Sequence, residues 1–287
     1  MPTYQASHSN HRIVQTSSSS ARPTRPFDPA SNSARLDDRA ESFHIPSFSP
    51  INPSQNFIKF SPPHPDAEPE DLFCPMIAEA AGIPHPRNIR DNDDYEFLIY
   101  TDGSCLSNGR DGAQAGCAFI FRPATGPSFI PRTTFSGRST RSMGLHALGA
   151  CTFHLEARGP DGERARQTSN RAELRAVIAA LQYRVWTNEG FDRLVIATDS
   201  AYAVEGATYW VNRWQRNGWQ TSGRKPVLNR DLWEELLREK ARWSRMGMRV
   251  LFWRIPRELN SEADELAKDG AEMEQERYWT VKEGSLC

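Results

Sequence analysis

Two apolar runs that end alike constrain this chain more than any other feature. Phe97-Leu98-Ile99-Tyr100 is stopped by Thr101-Asp102-Gly103, and Leu194-Val195-Ile196-Ala197 is stopped by Thr198-Asp199-Ser200. A short apolar run bounded by Gly and Asp predicts a buried strand. Each strand then delivers a carboxylate at its carboxyl end. One such Asp reads as ordinary turn chemistry. Two of them point to a shared acidic site at one sheet edge.

Composition sets the frame. With 287 residues the chain has room for one large or two ordinary domains, and 38% hydrophobic and 25% charged residues fit a globular protein. A mean hydropathy of −0.65 points to a polar tail. No apolar run approaches the ~18 residues of a spanning helix, so no membrane is expected among its partners. The formal charge of −1 does not announce nucleic-acid binding, which must be argued locally. Cys74, Cys105, Cys117, Cys151 and Cys287 form neither a CxxC pair nor an even set. They read as reduced thiols of an intracellular protein, nuclear or cytoplasmic.

Residues 1–90 are rich in Ser, Pro, Asn, Arg and His and lack periodicity, so a disordered tail is expected there, with a short helix near Asp71 to Ala81. The first 27 residues carry Arg12, Arg22 and Arg25 and no acid, which suggests a mitochondrial transit peptide as the alternative destination. They show no amphipathic helix, and the disordered tail is the preferred reading. A folded domain is assigned to 91–275 and a C-terminal tail to 276–287.

Within that domain the pattern predicts strand one at Glu96 to Thr101, a turn built from Asn108-Gly109 and Asp111-Gly112, and strand two at Ala115 to Phe121. Residues 133–149 read as a loop and 151–157 as a third strand. A helix starts near Thr168 with Leu174, Val177, Ile178, Leu181 and Val185 as its buried stripe and Glu173 beside it. Strand four (Leu194 to Thr198), a short helix (Ala201 to Glu205), a helix at 231–243, strand five (Met248 to Ile255) and a last helix N-capped by Ser261 complete the series. The result is an α/β fold with a five-stranded mixed sheet, three antiparallel strands then two parallel, flanked by helices.

Four acids then stand out: Asp102, Glu173, Asp199 and Asp264. Taken singly, each is a turn cap or a solvated helix-face residue. Together, at one sheet edge, they suit Mg²⁺, with Mn²⁺ as an alternative, because a hard cation prefers oxygen ligands and keeps waters for a substrate phosphate. A pair of such ions can activate water and stabilise the leaving oxygen.

Other residues suit nucleic acid. Asn108, Ser169 and Asn170 carry short polar groups fitted to 2′-hydroxyls and base edges in a wide minor groove. The segment Tyr209 to Lys225 contains Trp210, Trp214 and Trp219 with Arg213, Arg216, Arg224 and Lys225, and no acid. Such a surface suits a nucleic-acid backbone, with at least one tryptophan expected in the core.

The segments YTDGS, QTSNRAEL, ATDSAY, GWQTSGRKPVLNRDLW and NSEADELA, in this order and at these spacings over about Tyr95 to Gly270, resemble type 1 ribonuclease H. The resemblance implies a ribonuclease H-like fold and endonucleolytic hydrolysis of RNA in an RNA–DNA hybrid by two metal ions. It assigns metal binding to Asp102, Glu173, Asp199 and Asp264, and a DNA-strand phosphate pocket to Arg166 and Thr168. Tyr202 and Trp210 would line the DNA-strand channel of a basic protrusion, and the enzyme would act as a monomer. Where the family often carries a His on a glycine-containing loop, this chain has RIPRELNSEAD, with Arg257 and Glu258 as the candidate substitutes. Slower turnover or altered metal dependence is the expectation. The alternative reading is a catalytically weak or inactive hybrid-binding module with the same fold.

Overall fold

In the computed structural model the structure describes residues 57–80, 83–123, 143–146 and 149–284. The sheet core is built from β4 (Asp93–Leu106), β5 (Gln114–Ile120), β7 (Ala150–His154), β8 (Arg193–Thr198) and β9 (Arg249–Arg254). β5 pairs antiparallel with β4 on one side and β7 on the other, and β8 and β9 add parallel to the other side of β4. This is the five-stranded mixed sheet that the sequence pattern predicts. Because side chains alternate along a strand, Phe97, Ile99, Leu194, Ile196 and Phe252 face one core. Leu98, Val195, Ala197 and Trp253 face a second.

Four more strands enlarge the sheet: β1 (Ile58–Lys59), β2 (Phe73–Ala80), β3 (Ile83–Arg90) and β6 (Met143–His146). β1 pairs with β9, β2 with β3, β3 with β4 and β6 with β7. The tail boundary at residue 90 therefore lies too far along the chain, since ordered structure is already present from Phe57. The helix expected near Asp71 to Ala81 is a single turn, α1 (Pro69–Leu72), that gives way to β2. Sparse aromatics explain this, because Phe60 and Phe73 lie against Trp253, with centroids 4.8 and 6.3 Å away, and close the second core. Residues 1–56, the transit-peptide reading and most of the 133–149 loop fall outside the described residues. The part of that loop that is described, β6, is a strand.

The helices follow the predicted order. α2 (Ser169–Gln182) buries Leu174, Val177, Ile178 and Leu181. It ends before Val185, which is 39% exposed and leaves the stripe. α3 (Ala201–Glu205) runs through a π-helical turn, Gly206–Trp210, into α4 (Val211–Arg216). α5 (Arg230–Arg245) buries Leu232, Trp233, Leu236 and Trp243. α6 (Ser261–Glu272) has Asn260, not Ser261, at its N-cap, because a 3₁₀ turn over Arg257–Asn260 feeds directly into it. Among the described residues no helix is long and apolar enough to cross a membrane.

The C-terminal segment is part of the domain and not a tail. Arg175 donates to the Thr280 carbonyl at 2.7 Å, the Gly284 amide donates to the Tyr183 carbonyl at 2.7 Å, and Lys282 is 3% exposed. A segment this polar docks because its cation meets the buried Glu156.

Candidate active site

β4 does not stop at Asp102. It runs on to Leu106, paired with β5 throughout. β8 ends earlier, and its last partner on β4 is Tyr100 opposite Ala197. Asp102 therefore stands on a strand whose parallel neighbour has just ended, beside Asp199, which follows β8 directly.

Glu173 reaches the same place through Gly103. A Cβ on Gly103 would collide with the Glu173 backbone nitrogen, so glycine allows α2 to lie against the strand and set Glu173 over Asp102. Gly116 does the same for α6, where a Cβ would strike the Ala267 carbonyl. The outcome is that Asp102, Glu173 and Asp199 present carboxylate oxygens all within 4.8 Å of one another.

Asp264 does not join that group. Its carboxylate accepts from Arg257 at 2.7 Å and also pairs with Lys268. It still acts on the cluster by its charge. Burial first, then the Asp199 charge and hydrogen bond and the Asp264 charge, push Asp102 up to about 8, with Arg257 opposing them. Burial, followed by the charges of Asp102 and Asp199, likewise raises Glu173 well above the carboxylate range. Three clustered oxygen donors that repel one another fit a divalent metal ion, whose charge would relieve that repulsion.

The nucleic-acid candidates divide between a cleft and a protrusion. Asn108, Arg166, Thr168, Ser169 and Asn170 line a cleft of about 510 Å³ that opens one helical turn from Glu173. Asn108 Nδ2 donates to Ser169 Oγ at 3.1 Å and so ties the β4–β5 turn to the start of α2. Thr168 is the N-cap, and its hydroxyl accepts from the Arg171 amide at 3.3 Å. Among the residues of this wall that sequence reasoning missed are Arg171 and Asn229. Arg171 pairs with Asp231, and Asn229 holds the left-handed N-cap of α5. An Asn just before a predicted helix was the available signal for the latter.

On the protrusion, Arg213, Arg216, Arg224 and Lys225 are exposed, and none pairs with a carboxylate among the described residues. Trp210 is 39% exposed, edge-on to Tyr202 with centroids 6.2 Å apart. Trp214 is corrected: it is 9% exposed and packs against Trp210, Trp219 and Trp233, so it is the core tryptophan of the three. Tyr202 is half-buried, and its hydroxyl accepts from Trp233 Nε1 at 3.1 Å and Asn229 Nδ2 at 3.3 Å.

Comparison with known proteins places the chain. The ribonuclease H family model matches residues 94–272, and the chain belongs to that family. Over 123 residues it is 52% identical to Ribonuclease H of Pelobacter propionicus, which covers 38% of this chain and 73% of the bacterial protein. Against Ribonuclease H of Paracoccus denitrificans it is 38% identical over 178 residues, 61% of this chain and 91% of that protein. It is also 29% identical to mouse Ribonuclease H1 over 224 residues, 75% of this chain. The match spans 66% of the mouse protein's length, just under two thirds.

Proposed function

We propose that this chain is a divalent-metal-dependent endonuclease that hydrolyses the RNA strand of RNA–DNA hybrids, acting as a monomer. The observation that carries the reading is the trio Asp102, Glu173 and Asp199, supplied by one chain with no lysine or arginine bonded to any of the three among the described residues. Three such carboxylates repel a phosphate unless cations stand between them, so the cluster suits catalysis and not bare binding.

Asp102, Glu173 and Asp199 would hold Mg²⁺, with Asp264 recruited from its pair with Arg257. When bound, the metal supplies an activated water and charge stabilisation at the phosphorus centre. The chain's own residues do the rest. Arg166, Thr168 and the free amides at the start of α2 would grip a DNA-strand phosphate. Asn108, Ser169 and Asn170 would read the RNA ribose edge. Arg213, Arg216, Arg224 and Lys225 would follow the DNA backbone beside Trp210, in the position a salt-dependent contact requires. Arg257 takes the place of the loop histidine as a fixed positive charge with no titration near neutral pH, which favours slower turnover.

The test is an end-labelled RNA–DNA hybrid incubated with the full chain and Mg²⁺ or Mn²⁺, beside single-stranded and duplex RNA. Internal cuts in the hybrid's RNA alone are expected. Tight hybrid binding without cleavage under either metal would replace the enzyme by a binding module.

A further inference from the structure

Asn260 stands at the N-cap of α6, where an asparagine ordinarily turns its side-chain oxygen onto the free amides of the first helical turn. Asn260 makes no such bond. Its amide is turned into the sheet, and the residue is 2% exposed. Nδ2 faces the Thr101 carbonyl at 3.1 Å, Asp199 Oδ1 at 3.2 Å and Asp102 Oδ1 at 3.4 Å. All three partners are acceptors, so the nitrogen and not the oxygen must point at them. Oδ1 is left buried without a hydrogen-bond partner. A forgone cap and an orphaned buried acceptor both cost stability, and something at this site retains them.

The strand geometry says what. Backbone pairing between β4 and β8 ends at Tyr100 and Ala197. Past that point no ladder bond fixes the distance from Asp102 to Asp199, whose carboxyls share a hydrogen bond while one is protonated and repel once both ionise. The Asn260 amide is the cross-link that spans the gap, and it is anchored to β4 as well through the Thr101 carbonyl.

We propose that Asn260 is a positioning residue for the metal site. Its amide holds Asp102 and Asp199 together before a cation arrives, so the cation meets ligands already gathered. This rests on the metal-dependent reading above. Residues that orient metal ligands from behind typically change metal affinity by about 10- to 100-fold when removed.

The experiment compares the full chain with Asn260→Ala and Asn260→Ser by thermal melting in EDTA and across a Mg²⁺ titration, with Mg²⁺-dependent hybrid cleavage alongside. Serine is a good N-cap but too short to reach both acids, so it separates helix capping from ligand positioning. Both variants are expected to melt cooperatively in EDTA. Each should need about tenfold more Mg²⁺ for half-maximal stabilisation and half-maximal turnover, with the KM for hybrid at saturating Mg²⁺ little changed. Unchanged Mg²⁺ half-saturation in folded variants would overturn the proposal. So would loss of folding in both, which would make Asn260 purely structural. If the unmodified chain shows no Mg²⁺-dependent stabilisation at all, it is the metal reading itself that fails.

Discussion

Glu173 and Arg175 lie two residues apart on α2 and serve opposite ends of one problem. Glu173 joins Asp102 and Asp199 in a cluster of acids with no lysine or arginine bonded to it among the described residues. Arg175, fully buried, reaches the other way to Glu156, with bonds of 2.7 to 3.2 Å to both carboxylate oxygens. Trp279 stacks over its guanidinium at 3.9 Å, and Lys282 closes the group at 3.4 Å from Glu156 and 2.7 Å from Glu276. Burial pushes Glu156 up, but the charges of Arg175 and Lys282 and the Arg175 hydrogen bond outweigh it and hold the carboxyl below its ordinary range. In the cluster, burial and like charge act together and raise Asp102 to about 8. Burying an acid is costly unless a cation accompanies it. At Glu156 the chain supplies the cation itself and gains a fixed core. At Asp102 the described residues supply none, and the acidic group could take a metal ion in its place.

The comparison can be broken most sharply at Asp102. Asp102→Asn should lower hybrid cleavage by about 10³-fold or more, the scale of several kcal/mol of transition-state stabilisation, while raising the melting temperature in EDTA because one like charge is gone. Initial rates and melting curves check both halves. If stability fell together with activity, the cluster would be structural like Glu156.

Arg175→Met tests the opposite side. It leaves Glu156 buried with Lys282 alone, and a loss of about 3 kcal/mol is expected from the cost of breaking a buried pair. The rate per folded molecule should be unchanged. Denaturant titration with activity measured on the folded fraction decides it.

pH separates the two groups without mutation. A carboxyl whose folded-state pKa is raised contributes stability below its unfolded value, near 4, and loses it as pH climbs to the folded value. In EDTA the Asp102 contribution should therefore fall between about pH 4 and 8, by up to a few kcal/mol. Glu156, held low, has the opposite sign, and its contribution is lost only as pH falls below the carboxylate range. Melting curves across that window should flatten in Asp102→Asn, and in the unmodified chain once Mg²⁺ favours the ionised form.

Arg257→Ala is the smallest change. Its pair with Asp264 is exposed and worth less than about 1 kcal/mol of stability. Removing a positive charge beside the acids should tighten Mg²⁺ binding less than tenfold, read as the half-saturating concentration for turnover. Weaker Mg²⁺ binding instead would mean that Arg257 organises Asp264 for the metal.

Much of this was written locally in the chain. Apolar runs ending in Asp102 and Asp199 announced β4 and β8, and the spacing from Leu174 to Leu181 announced α2, because strand and helix periods are set by neighbouring residues. The β2–β3 hairpin and the docked C-terminal segment were hidden. Their few anchors, Phe60, Phe73 and Lys282, sit among Pro, Asn and charged residues, and only contact with Trp253 or Glu156 makes them core. Trp214 and Trp210 look alike in the sequence. Packing against Trp233 separates them.

What the sequence determined by itself was the order of elements and the identity of the acids. Which acids converge was decided by the tertiary structure. Gly103 lets α2 close onto β4, β8 ends one step short of Asp102, and Asn260 reaches back from α6 to both aspartates. Asp264, equally prominent in the sequence, is drawn off by Arg257 and Lys268. Distances between carboxylates depend on how sheet and helices pack, and residues far apart along the chain carry no local record of that.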